Sequence, residues 1–212
     1  MFTNTELRKL SYAMAIPTRR LLEEFGPVYD DVRISPNSLK ASGTKSPGWV
    51  QFMDDGSSSV GVYTWAFDDA TEEELWFEIQ MPHGVQLGST VHPHIHWAPM
   101  ANGTAGDVVS WAMEYTWVDV LGTFGNTTII SANAHIGGEA TLVAKKHYIT
   151  PLPDIDAQSD ANQAVSSVML GRIYRDATGG LQTDDLAQDA ALLSVDFHVK
   201  MDTHGSIQEY SK

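Results

Sequence analysis

The run Gly88-Ser-Thr-Val-His92-Pro-His94-Ile-His96-Trp97-Ala98 decides the fold class. Its three histidines recur at every second position, with Val91, Pro93, Ile95 and Trp97 between them. In an extended strand successive side chains point to opposite faces, so His92, His94 and His96 line one face and the apolar set lines the other. A helix would scatter the imidazoles around its circumference, and Pro93 would break it. The run is therefore a strand with one polar and one buried face.

Imidazole is the commonest protein metal ligand, and alternate residues of a strand stand about 7 Å apart along it. His92, His94 and His96 are accordingly the candidate ligands of a divalent metal. The competing reading is a row of semi-polar rings on a solvated or inter-subunit sheet face. No Asp, Glu or Cys lies within five residues of the run to complete a coordination shell, so the sequence by itself requires no cofactor. Once protonated, three imidazoles on one face would also repel one another, which would lower their folded pKa values below the ordinary value of about 6.5.

Working outward, the same alternation returns. In Glu74-Leu-Trp-Phe-Glu-Ile-Gln-Met81 the residues Leu75, Phe77, Ile79 and Met81 share a face. Between Val108 and Val120, Trp111, Met113, Tyr115 and Trp117 do so. In Leu192-Leu-Ser-Val-Asp-Phe-His-Val-Lys200 the set Leu193, Val195, Phe197 and Val199 is expected inside, with Ser194, Asp196, His198 and Lys200 outside. Further strands are expected at Trp49–Met53, Val60–Phe67, Thr127–Ala134, Leu142–Ile149 and Ala164–Arg175, while Val28 to Ser46 reads as irregular. About nine short strands joined by Gly, Asp, Asn and Pro turns predict an all-β chain, a β-sandwich of jelly-roll type.

Residues 1–27 differ from the rest. They carry the one sizeable helical pattern, stopped at Gly26-Pro27, and it has no clean amphipathic stripe. The expected organisation is a short, partly helical N-terminal arm (1–27) followed by a sandwich domain (28–212). The arm has no private core for Leu7, Leu10, Leu21, Leu22 and Phe25. Apolar side chains exposed together mark an interface, so a homo-oligomer is expected, with a trimer as the specific assembly.

Across 212 residues, 13 Lys and Arg face 27 Asp and Glu, a formal charge of −14. That balance argues against nucleic acid or an anionic membrane as partner, because phosphate contacts need a basic face. The chain has no cysteine, hence no disulfide or thiol nucleophile. Arg19 and Arg20 interrupt the N-terminal region before any long apolar run, so neither a signal peptide nor a membrane span is expected.

Catalytic constellations are sparse. Gly88, five residues, then His94-Ile-His96 matches the opening of the first cupin motif. The glutamate that should follow is replaced by Met100 or Ala101, and no second motif stands out. No serine sits in a Gly-x-Ser-x-Gly elbow, and no glycine-rich phosphate loop is present. Asp54-Asp55, Asp68-Asp69 and Asp184-Asp185 read as solvated turn acids rather than Ca²⁺ ligands. Trp111, Tyr115 and Trp117 read as core rather than as a sugar-stacking platform. No catalytic set is expected. A metal-dependent cupin-like enzyme or a carbohydrate-binding module using the His92/His94/His96 strand is the alternative class.

Three stretches together resemble a family of tailed-phage virion proteins. They are Glu74-Leu-Trp-Phe-Glu-Ile-Gln-Met-Pro-His83 running into Gly88-…-Trp97, the segment Gly171-Arg-Ile-Tyr-Arg-Asp176, and the closing Leu193-…-Tyr210. The resemblance implies a β-sandwich that assembles on a capsid or tail. The expected role is a head decoration (cement) protein of a bacteriophage, with a tail or neck component second. It further implies other virion proteins, such as the major capsid protein, as partners, and a place in the virion after synthesis in the cytoplasm of a bacterial host.

Overall fold

The computed structural model describes residues 28–156 and 165–209; the expected N-terminal arm, residues 1–27, lies outside the described residues. The described strands are β1 (Val28–Ile34), β2 (Lys40–Ala41), β3 (Gly48–Met53), β4 (Val62–Phe67), β5 (Glu74–Gln80), β6 (Val91–Pro99), β7 (Trp111–Val118), β8 (Thr128–Ala132), β9 (Tyr148–Pro151), β10 (Val168–Arg175) and β11 (Ala190–Met201). They form two antiparallel sheets. One has the order β3-β4-β11-β6-β9, with β1 also on β11; the other has the order β2-β5-β10-β7-β8. The chain is a β-sandwich. From β4 onward, β4, β6, β9 and β11 fall in the first sheet and β5, β7, β8 and β10 in the second, an order compatible with a jelly roll.

The alternation read from the sequence places the core. Leu75, Phe77, Ile79 and Met81 are buried, as are Trp111, Met113, Tyr115 and Trp117 and, facing them from β6, Val91, Ile95 and Trp97. The sheets interlock through aromatic contacts, with Phe77 and Phe197 ring centroids 5.7 Å apart and Phe67 edge-on to Trp111 at 5.1 Å. Opposite Phe77 on β10 stands Gly171. A Cβ there would lie 2.4 Å from the Phe77 ring, so only glycine lets that ring lie over the strand.

Three local expectations are corrected. Val28 to Ser46 is not irregular, since it contains β1 and β2. β1 is nearly all exposed and shows no alternation of burial; seven consecutive pairs with β11, Val28↔Met201 through Ile34↔Val195, hold it. The strand expected over Leu142–Ile149 is β9, shifted to Tyr148–Pro151, while Leu142 plugs the core from a loop. On β11 the inward residue is Leu192 rather than Leu193. The register slips between Leu192↔Trp97 and Ser194↔His96, so Leu193 is the extra residue of a β-bulge. The buried Thr64 hydroxyl donates to the Leu192 carbonyl at this irregularity.

β11 is thus the axis of its sheet. It pairs with β6 along one side, and with β4 and then β1 along the other.

Candidate functional site

The outward faces of β1, β11 and β6 come into register as a single polar surface. His92 lies opposite His198, His94 opposite Asp196 and His96 opposite Ser194. On the far side of β11, Asp31 lies opposite His198 and Arg33 opposite Asp196. His92, His94 and His96 share one face, as their spacing requires, and line a cleft of about 480 Å³. Asp31, Asp154 and His198 line it too, with Ile136, Ile149, Pro151 and Leu152 as apolar wall.

The structure divides the three sequence-selected histidines. His92 turns away to a carboxylate, its Nδ1 2.7 Å from Asp154 Oδ1. His198 is held in the same manner, Nδ1 2.7 Å from Asp31 Oδ1, with its ring stacked on Tyr29 at 4.8 Å and an interplanar angle of 3°. His94 and His96 instead converge on Asp196, so that one donor atom from each of the three lies within 4.8 Å of the others. A pair of imidazoles plus one carboxylate is a donor set that suits first-row transition ions.

Asp196 has no exposed side-chain surface. Its Oδ1 accepts from the Ser194 hydroxyl, and its Oδ2 lies 3.2 Å from Arg33 Nε and 3.5 Å from His96 Nε2. His96 Nδ1 is 2.7 Å from His147 Nε2, the two rings stacking at 4.9 Å. His96 Nε2 is buried and has no hydrogen-bond partner. Burial pushes the His96 imidazole below its ordinary pKa, the Asp196 carboxylate opposes this, and His94 and His147 add to it. The direction is the one expected from the sequence, but desolvation leads and histidine repulsion follows. His83 is outside this surface; its ring nitrogens meet Ser206 Oγ at 2.7 Å and Ser166 Oγ at 2.9 Å.

Asp196 supplies the carboxylate that the cupin-like opening lacks at Met100 and Ala101. It was visible as an outward residue of β11, but nothing in the sequence sets its register against His94. His147, in the loop before β9, had no local signal at all.

The paired acids behave differently from one another. Asp54 and Asp55 cap turn N–H groups, as expected of turn acids. Asp68 accepts from Ala70 and Thr71 N–H groups. Asp184 is not solvated. Its side chain is buried and forms a two-pronged pair with Arg175, Nε–Oδ2 2.9 Å and Nη2–Oδ1 2.7 Å.

The first sheet also ends in an unusual edge. β3, Gly48-Trp-Val-Gln-Phe-Met53, has no charged residue and pairs only with β4 among the described residues. Trp49, Met53, Val62 and Tyr63 are exposed along this hairpin, Val62 by 62%.

No family model and no curated protein matches the chain. Among solved structures it is similar, at 8% identity and TM-score 0.37 over 85% of its length, to an endo-1,4-β-D-xylanase 10B of Clostridium thermocellum, CBM22-1 and GH10 modules complexed with xylohexaose. It is similar to the structure of infectious bursal disease virus, Gx strain, at 14% identity and TM-score 0.34 over 85% of its length. A third likeness, at 11% identity and TM-score 0.33 over 82% of its length, is to an aminopeptidase from a marine sediment archaeon, Thaumarchaeota archaeon. The chain spans 30%, 33% and 33% of these three structures, respectively. Likenesses this distant assign no activity.

Proposed function

We propose that this protein is a structural component of a tailed-bacteriophage particle, a head decoration (cement) protein that works by binding copies of itself and the capsid. The observation that carries the assembling role is the β3 edge. An exposed edge strand leaves a row of N–H and C=O groups ready to pair, and monomeric proteins blunt such edges with charges, proline or bulges. β3 has neither charge nor proline; its one irregularity, a register slip between Gln51 and Met53, leaves Gly48 to Gln51 regular, and half-exposed Trp49 and Met53 add apolar area to any pairing. Its partner on this reading is a second copy of this chain, in a closed homo-oligomer, with a trimer expected. The phage assignment rests on the resemblance of the Glu74–His83, Gly88–Trp97, Gly171–Asp176 and Leu193–Tyr210 stretches to virion proteins.

Light scattering on the purified chain at micromolar concentration should give the mass of a closed oligomer. The Met53→Lys/Val62→Lys double variant should run as a monomer with an unchanged circular dichroism spectrum. A wild-type monomer would overturn the assembling role. Mass spectrometry of phage particles banded from the producing host should detect the protein, and its absence from them would overturn the virion assignment.

A further inference from the structure

We propose that His94, His96 and Asp196 form a binding site for a divalent first-row transition ion, with Zn²⁺ as the reference case, and that His147 is a positioning residue for it. The inference is independent of the assembly reading, since none of the four lies on the β3 edge.

Geometry comes first. In tetrahedral zinc sites the bonds to nitrogen and oxygen are about 2.0–2.2 Å, so neighbouring donors stand roughly 3.4 Å apart. His96 Nε2 and Asp196 Oδ2 are already 3.5 Å apart, and a ring nitrogen of His94 lies within 4.8 Å of both. Two of the three donors are thus at ligand spacing, and the third is a side-chain rotation away.

The second argument is tautomeric. The 2.7 Å contact between His96 Nδ1 and His147 Nε2 needs one proton between them. If His96 donates it, the buried His96 Nε2 keeps a lone pair 3.5 Å from a carboxylate oxygen, an arrangement that either a second proton or a metal cation between them relieves. A proton on His96 Nε2, whether in the imidazolium or in the tautomer where His147 donates, should hydrogen-bond Asp196, yet His96 Nε2 has no such partner. The first arrangement is that of a metal-binding imidazole whose other nitrogen is fixed by an outer hydrogen bond. Ser194 plays the matching part for Asp196, occupying Oδ1 and leaving Oδ2 to the site.

One group competes for that oxygen. Arg33 Nε sits 3.2 Å from Oδ2, but its side chain is 65% exposed and free to withdraw into solvent when a metal enters. Three protein ligands leave at least one coordination position open towards the cleft, which suits water or an incoming donor.

Calorimetric titration of EDTA-treated, dialysed protein with Zn²⁺, and of the same protein with Co²⁺ monitored by its visible absorption, tests the site. One equivalent should bind. His94→Gln and His96→Gln should each weaken binding at least 100-fold, and His147→Gln about 10-fold. His92→Gln should leave the affinity within about 3-fold, because His92 belongs to Asp154. Arg33→Ala should tighten binding several-fold by removing the competing cation. Circular dichroism on each variant separates lost folding from lost ligands, and the partly exposed His94 provides a variant that keeps the buried Asp196 intact. No saturable binding by the wild type, or equal losses in His92→Gln and His94→Gln, would overturn the proposal.

Discussion

Arg175–Asp184 and Arg33–Asp196 are both arginine–aspartate pairs whose carboxylate is sealed from water, and their surroundings are opposite. Arg175 has no exposed side-chain surface. Besides Asp184 it donates to the carbonyls of Gln188 at 2.7 Å, Leu186 at 2.5 Å and Phe67 at 3.4 Å, and Asp184 also accepts from Ser110 N–H. Its fork of donors is spent on fixing the 176–189 loop to the sandwich. Asp196, by contrast, has a largely exposed arginine above it and an unpartnered imidazole nitrogen beside it. A closed pair of this kind is architecture. A buried charge left open on one side costs stability without fastening anything, and is worth keeping where something else completes it. Between the two lies Arg172, whose side chain is 17% exposed on the outer face of the second sheet, with Glu74 at 2.6 Å and Glu114 at 2.9 Å.

The sharpest way to break this ranking is Asp184→Asn. It leaves the Arg175 charge buried and unpaired, and should lower unfolding free energy by about 3–5 kcal/mol in urea titrations at neutral pH. A loss below about 1 kcal/mol would reduce the pair to the level of a surface contact. Arg172→Met should cost about 1 kcal/mol in the same assay, since its partners retain access to water. For Arg33→Gln the expected cost is smaller still, under about 1 kcal/mol, because the Arg33 side chain is 65% exposed and its removal opens Asp196 Oδ2 to water. If it matched Asp184→Asn, the distinction between a closed and an open pair would collapse.

The smallest effect is one of pH. The Thr127 hydroxyl, and after it Arg172, hold the Glu114 carboxyl below its ordinary value of 4.5. A carboxyl depressed in the fold contributes stability that is complete above its unfolded pKa and is lost as pH falls through the folded one. Glu114→Gln should therefore show a shallower loss of melting temperature than the wild type below about pH 4.5, and the two should run parallel above it. Curves parallel throughout would remove Glu114 from the acid response.

Period-two alternation made most of the sandwich readable in advance. It assigned the faces of β5, β6 and β7 residue by residue, because burial on one side of a strand leaves that trace. β1 left none: Val28-Tyr-Asp-Asp-Val-Arg-Ile34 is held by main-chain pairing on a mostly exposed strand. The Leu192/Leu193 exchange was equally hidden, since both residues are leucine and a bulge is a property of the pairing. For the candidate site, the sequence showed His92, His94 and His96 together, and showed Asp196 and His198 as outward residues of another strand. Only strand register joins them, separating His92 from the set and adding Asp196. The closed Arg175–Asp184 pair was misread as a solvated turn acid, because burial of a loop acid depends on what the loop packs against.

β11 has a consequence for biosynthesis. It is the last strand of the described chain and the centre of its sheet, and the Arg33–Asp196 contact spans 163 residues. While a ribosome is still making residues 100–189, β1, β4 and β6 exist with the neighbour they share not yet made. The second sheet can zip from β5 to β10 before that, since β5, β7, β8 and β10 all precede β11. Completion of the described sandwich therefore waits on β11, and such long-range closure is slow and leaves open edges exposed in the interim. The histidine face, which needs β6 and β11 side by side, is among the last features of the protein to come into being.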